Sequence, residues 1–420
     1  MSLLKNSSIY LFSNILNALV PFLLLPILTH KLSPEGYGEI AMFQTLVSGL
    51  AALTGLNTIG AANRCYYDDL TSDELKKYNG ACFHVLAISS FLLILLGGIF
   101  SASLSKWLSI PVSWIFFAII VSAGNFIIQF RLGQWQIRGR AWRFGMFQVS
   151  QSLLLFLLTI AFLLYFGFGA ASRINAMILA AALFSIFSFI TLYKENLLAL
   201  MSFRIEFIKD TLKFGVPLVP HIIGIFFLSA IDRILINNKL GVGEAGIYML
   251  GVQLSLGMVV IFDAINKALI PWLFRILSAN DIEKISQLVR FTYFYFIILA
   301  FLGGLSFWIG PYIVRWLAGS EYQQATSVIG WLCLGQAFNG MYLMVTNYLF
   351  YAKRTGRLSI VTISCGVLNI LLLISFMKYN GIIGVAMAFA LSMFIRFIST
   401  WILVLKLNII SWRFLIKKKM

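Results

Sequence analysis

KLSPEGYGEIAMFQTLVSG, residues 31–49, lies without gaps on KLGVGEAGIYMLGVQLSLG, residues 239–257, when the chain is shifted by 208 positions. The lysine, leucine, glycine, leucine and glycine at 31, 32, 38, 46 and 49 recur at 239, 240, 246, 254 and 257. Five identities in nineteen carry little alone. The shift, however, is close to half of the 420 residues, and each copy opens an apolar run. It predicts an internal duplication. If each half crosses a membrane an even number of times, both halves enter from the same side and form parallel repeats about an axis along the membrane normal.

Composition sets the solvent. With 60% hydrophobic and 11% charged residues and a mean hydropathy of +0.91, the chain has too little polar side chain to cover a water-soluble core. It reads as an all-α polytopic membrane protein. Crossing about 30 Å of hydrocarbon takes about 20 apolar residues, and twelve such runs are present: 8–30, 37–61, 80–102, 112–132, 145–166, 173–193, 214–238, 244–268, 288–310, 325–351, 358–378 and 382–405. The expected organisation is a six-helix lobe over 1–193, an interfacial linker over 194–213, a second six-helix lobe over 214–405 and a basic tail over 406–420. No connection is long enough for a separate catalytic domain, and the chain is not expected to be an enzyme.

Lysine and arginine set the topology. The N-terminus, every second loop and the C-terminal tail hold 24 of the 32, the alternate loops hold six, and Arg233 and Arg396 lie inside spans. The positive-inside rule then puts both termini in the cytoplasm and requires an even number of crossings. The net charge of +17 is accordingly a signal of topology and of contact with membrane lipids, and nucleic-acid binding is not expected. Cys65, Cys82, Cys333 and Cys365 form no metal-binding pattern, nor do His30, His84 and His221. No G-x-x-x-x-G-K-[ST] motif is present, so a nucleotide-driven motor is not expected.

Several stretches carry a resemblance: LSPEGYGEIAMF after span 1, NRCYYDD ending span 2, FGVPLVPH opening span 7, the DR of LSAIDRILINNKLG at 228–241, LGVGEAGIYMLG before span 8 and KALIPWLFR after it. Together they resemble the polysaccharide exporter family, and more narrowly its Wzx-type flippases of O-antigen and related repeat units. The resemblance implies a two-lobed fold of the multidrug and toxin extrusion type. It also implies movement of an undecaprenyl-diphosphate-linked oligosaccharide across a bacterial inner membrane, with a polysaccharide polymerase and ligase as further partners. In that fold spans 1, 2, 7 and 8 line the cavity.

A charge at the centre of a span costs roughly 2.5 to 3.5 kcal/mol on insertion scales, so such residues face protein or water and point to function. The interior charges are Asp232, Arg233, Asp263, Lys267 and Arg396, with Arg64 at the inner end of span 2. Arg64 offers phosphate oxygens a planar fork of donors, and Lys267 lies at a similar depth as a second cation. Asp263 and Lys267 are also spaced i, i+4 and able to pair along one helix. Asn57 and Asn63 form a polar strip with Arg64 on span 2, and Asn14 and Asn17 lie on span 1. Such amides suit sugar hydroxyls and can also glue helices together, but on these two spans they are expected to face the cavity and bind substrate.

Asp232 sits roughly 27 Å along span 7. Adjacent positions point about 100° apart, so Asp232 and Arg233 are expected to reach different neighbours near an outer gate. Asp232 or Asp263 would be a site of H+ or Na+ coupling, and no other cofactor is expected. The proline pairs Pro21/Pro26 and Pro217/Pro220 mark spans 1 and 7 as places to bend. Two rivals stand beside the flippase. An ion-coupled multidrug antiporter would share the fold but suits cations, whereas this set of charges suits an anion. A membrane polymerase would use an acidic cluster, and the candidate pair is Asp68 with Asp69.

Overall fold

The computed structural model describes residues 2–68, 70–279, 281–352, 355–407, 410 and 412. Asp69 and most of the basic tail, including everything beyond Trp412, lie outside the described residues. The described residues form helices and connections with no strands. By contacts the chain divides into two compact units, one of residues 1–226 with 236–246 and one of 227–235 with 247–420.

The first unit begins with α1 (Ser2–Lys31), α2 (Pro34–Ala51) and α3 (Thr58–Cys65). It continues through α4 (Ser72–Leu108), α5 (Val112–Ile137), α6 (Ala141–Ala161) and α7 (Ala170–Lys194). Next come the amphipathic α8 (Ile205–Gly215) and, after a short 3-10 turn opened by Pro217, α9 (Val219–Ser229). The seventh span then breaks at Ala230 and resumes as α10 (Ile231–Leu240). The rest consists of α11 (Val242–Ala279), α12 (Ile282–Leu317), α13 (Thr326–Tyr351) and α14 (Thr355–Lys406).

Local chemistry explains the starts. Ser33 caps α2, its hydroxyl accepting from the Gly36 N–H at 3.3 Å, with Pro34 in the first turn where a missing N–H costs nothing. Thr71 and Glu74 form a reciprocal capping box that starts α4 eight residues before the apolar run at 80. Phe91, Leu95 and Ile99 recur every fourth residue on α4 and are exposed. Such a stripe requires hydrocarbon around it.

Ten described helices are long and apolar enough to span, or eleven if the bent pair of α2 and α3 counts as one. At 1.5 Å per residue the 52 residues of α14 would run to about 78 Å. They cannot be one crossing. The helix is interrupted at Gly381, where φ is 54° and ψ −136°, a conformation open to glycine. It thus holds the two last expected spans, and the count returns to twelve.

Span 2 departs from expectation. The run 37–61 is broken between α2 and α3, which meet at 51°. Gly55, Leu56 and Asn57 all have positive φ, at 67°, 46° and 58°. Freed backbone groups at membrane depth must find partners inside the protein. They do so here: the Gly55 N–H donates to the Ser89 hydroxyl at 2.9 Å, and the Thr58 hydroxyl donates to the Gly55 carbonyl at 2.8 Å. Thr54 and Ser122 share a further bond of 2.9 Å.

The duplication has a direct structural counterpart. A Cβ on Gly38 would meet the Val242 carbonyl, and a Cβ on Gly246 would meet the Pro34 carbonyl. Under the shift of 208, Gly38 becomes Gly246 and Val242 becomes Pro34, so each contact is the image of the other. Gly243 approaches its own image, Glu35. The first turns of α2 and α11 therefore cross backbone on backbone about a local two-fold, which only glycine allows at 38 and 246.

Candidate functional site

The break in span 2 positions a polar pocket. The α3 helix carries Arg64 in its last turn, and α8 packs alongside. Between them lies a cavity of about 300 Å³ lined by Arg64, Asp68, Tyr78, Asp210, Lys213 and Phe214, among others. The Arg64 side chain is 67% exposed and stands 3.7 Å from the Asp68 carboxylate. Its guanidinium also lies over the Phe214 ring at 5.8 Å. An exposed pair of this kind is worth at most about 1 kcal/mol, so an incoming anion can displace Asp68. Tyr78 donates its hydroxyl to Asp210 at 2.7 Å, which fixes that acid on the pocket wall.

Asn57, Asn63 and Arg64, close together in the sequence of span 2, go to different places. Asn57 is the left-handed residue before α3 and makes no capping bond with its side chain. Asn63 packs its amide against Gly133 of α5, and its Oδ1 is buried without a partner. Only Arg64 lines the pocket. On α1, Asn17 accepts from Ser152 of α6, a helix-to-helix contact, and Asn14 is half-buried.

The remaining expected charges belong to the second unit. Lys267 pairs with Asp263 at 2.6 Å along α11. Arg396, 9% exposed, lies over the Tyr342 ring at 3.7 Å between α13 and α14. Asp232 and Arg233 do reach different neighbours: Asp232 accepts from the Tyr248 hydroxyl at 2.9 Å, and Arg233 donates to the Ser229 carbonyl at 2.6 Å. They also approach each other at 3.7 Å. The break at Ala230 puts Asp232 in the first turn of α10, where it accepts from the Arg233 N–H at 2.8 Å. Replacing Tyr248 by Phe is expected to lower stability by about 1.5 kcal/mol, because a buried carboxylate loses a charge-assisted bond. A thermal unfolding scan in detergent checks it.

A second charged cluster had no counterpart among the expected site residues. Glu195, the residue that ends α7, receives Arg131 at 2.7 Å, Arg140 at 3.0 Å and Arg143 at 2.8 Å. Arg131, near the end of the expected span 112–132, is fully buried inside α5 and stacks on Trp135 at 4.0 Å. Burial alone would raise the Glu195 carboxyl. Contact with Arg131 and the charges of Arg131, Arg140 and Arg143 together hold it below the ordinary carboxylate range. The cluster ties the end of α5, the following loop and the start of α6 to the end of α7.

Comparison with known proteins accounts for the family resemblance. A profile described as "Polysaccharide biosynthesis protein" matches residues 3–277. The chain belongs to the polysaccharide biosynthesis protein family. A Haemophilus influenzae protein named for the Lsg locus is 27% identical over 401 residues, covering 91% of this chain and 95% of its own. Among solved structures, lipid II flippase MurJ in an inward closed conformation superposes with a TM-score of 0.76 at 16% identity, covering 96% of this chain and 87% of that one. An inward-facing multidrug resistance MATE family transporter of the MOP superfamily gives 0.68 at 19% identity, covering 93% and 94%. This polysaccharide biosynthesis family member therefore has the MATE and MurJ fold and is a multi-pass membrane protein.

Within the family member's own sequence, one signal marks the missed cluster. Glu195 is the only acid between Glu74 and Glu206. A lone carboxylate facing four arginines over 131–143 has an evident use, although sequence alone does not say which of them it meets.

Proposed function

We propose that this family member is a flippase that carries an undecaprenyl-diphosphate-linked oligosaccharide, a repeat unit of O-antigen or a related surface polysaccharide, across the bacterial inner membrane. Movement is from the cytoplasmic to the outer leaflet by alternating access. The observation that carries this reading is the Arg64 pocket, where an exposed guanidinium and Lys213 line a polar cavity at the end of a broken span. Discontinuous helices beside polar cavities are a recurrent way of building substrate sites in transporters.

In this reading both termini are cytoplasmic and the diphosphate exchanges with Asp68 for the Arg64 fork. The polyprenyl tail stays in lipid. The crossing of α2 and α11 at Gly38 and Gly246 is the outer gate, held shut by backbone contact, and the breaks at Gly55 and Ala230 are the hinges. Asp232 and Asp263 supply the acids for H+ or Na+ coupling, Asp263 with its partner Lys267 exposed and Asp232 buried beside Tyr248. No covalent step is required.

Arg64→Gln is expected to reduce export about fivefold, equivalent to about 1 kcal/mol of lost charge-assisted binding. Arg64→Lys recovers part of it, since it keeps the charge and loses the fork. The cellular test is where the lipid-linked units collect when the gene is deleted. Accumulation on the cytoplasmic leaflet, reversed by the wild-type chain, supports a flippase. Units already on the outer leaflet point to a polymerase instead, and unchanged units with lost resistance to cationic dyes point to a multidrug antiporter.

A further inference from the structure

A groove of about 600 Å³ runs between α6 and α7, lined on its apolar part by Met146, Phe147, Leu183, Phe184 and Phe187. Met146, Leu183 and Phe187 are 54%, 46% and 52% exposed, so the groove opens sideways along the hydrophobic face of the helices, where lipid chains have access to it. The other end of its lining is charged: Arg143 and Glu195 belong to it, and Trp135 forms part of the wall. Three guanidiniums share the single Glu195 carboxylate, leaving a local excess of two positive charges. Arg140 and Arg143 are 43% and 56% exposed, and each guanidinium has five N–H donors. The buried Trp135 keeps its indole N–H without an acceptor, although a buried indole N–H ordinarily finds one.

An apolar trough ending in a cationic mouth with an unused donor has the layout of a lipid site. We propose that the α6–α7 groove binds an anionic glycerophospholipid, one acyl chain lying along Phe147, Phe184 and Leu183 and the phosphate held by Arg143 and Arg140. Basic pockets between transmembrane helices on the side rich in lysine and arginine bind anionic headgroups by the same chemistry. The charge balance selects the headgroup: a zwitterionic lipid brings its own cation to a mouth already in excess by two, whereas a phosphatidylglycerol does not. The bound lipid braces the α5–α6 connection against the end of α7. The inference does not depend on what the protein transports.

The test is native mass spectrometry of the full chain purified in detergent, with dioleoyl-phosphatidylglycerol or dioleoyl-phosphatidylcholine added at equal concentration. Phosphatidylglycerol is expected to be retained at least fivefold better. Arg143→Gln, which leaves Arg131 and Arg140 on Glu195, removes that preference. Met146→Trp, which fills the groove and leaves every charge in place, removes retention altogether, and it decides the matter if the arginine variant fails to fold. Lys284→Gln on α12 is the control and changes nothing. Equal retention of both lipids, or retention indifferent to both groove variants, overturns the proposal. So does displacement of phosphatidylglycerol by undecaprenyl phosphate at equal concentration, which would give the groove to a prenyl chain.

Discussion

Gly38→Ala and Gly246→Ala are each expected to cut export more than tenfold, and by similar factors. A Cβ at either position falls on a backbone carbonyl, of Val242 in one case and Pro34 in the other. A carbonyl in a helical first turn cannot swing away as a long side chain can, so the turns must part. Overpacking of this kind costs about 1 to 3 kcal/mol, and a backbone obstacle belongs at the upper end; imposed on the closed gate, that cost depopulates it by more than tenfold at about 1.4 kcal/mol per factor of ten. The two effects match because the contacts are images of one another under the 208-residue shift. Gly36→Ala supplies the contrast: its Cβ meets only ordinary contacts at 3.9 Å in the same helix, and it is expected to change stability by less than about 0.5 kcal/mol. Surface glycan export and thermal unfolding, measured on all three variants, check this. Tolerance at both 38 and 246 would mean that the crossing is not packed as described.

Glu195→Gln is expected to destabilise the protein by about 3 kcal/mol, because it strands the fully buried Arg131 without its counter-charge. Replacing both partners, Arg131→Met with Glu195→Leu, is expected to recover most of the loss, since an apolar pair carries no desolvation penalty. The thermal midpoints of Arg131→Met, of Glu195→Leu and of the double variant, beside wild type, give the coupling directly.

The same cluster predicts a pH dependence. The Glu195 carboxyl is held below its ordinary value of 4.5 in the folded protein. Its contribution is therefore complete above that value and is lost as pH falls through the lower folded value. Wild type is expected to lose midpoint on acidification below about pH 4.5, with a shallower loss in Glu195→Gln. Parallel curves would remove Glu195 as the source.

The spans were legible because hydropathy over twenty residues measures the property that the membrane selects. The duplication was legible at Gly38 and Gly246 because backbone contact admits no other residue there. The break in span 2 was hidden by the same averaging: Thr54 to Asn57 are uncharged and do little to a window's hydropathy. Its local signal was Gly55 followed by Asn57, two residues tolerant of positive φ, with Thr54 and Thr58 at hand to bond the freed backbone. The Asp263–Lys267 pair could be read from i, i+4 spacing alone. Arg131 with Glu195 could not, because a contact across 64 positions leaves no periodicity and arginines near a span end are ordinarily topology signals. The approach of Asp232 to Arg233 had no signal in the sequence, because the apolar run through Ala230 looks like one continuous helix.

The central claim concerns what crosses the membrane, and proteoliposomes measure it most directly. The purified chain is reconstituted with a fluorescent undecaprenyl-diphosphate-linked oligosaccharide, and an impermeant quencher reports the fraction reaching the protected leaflet. Flipping well above protein-free vesicles, slowed several-fold by Arg64→Gln and more by Gly38→Ala, is the expected result. Flipping no faster than in protein-free vesicles, with a correctly folded protein and with or without an imposed proton or sodium gradient, would contradict it.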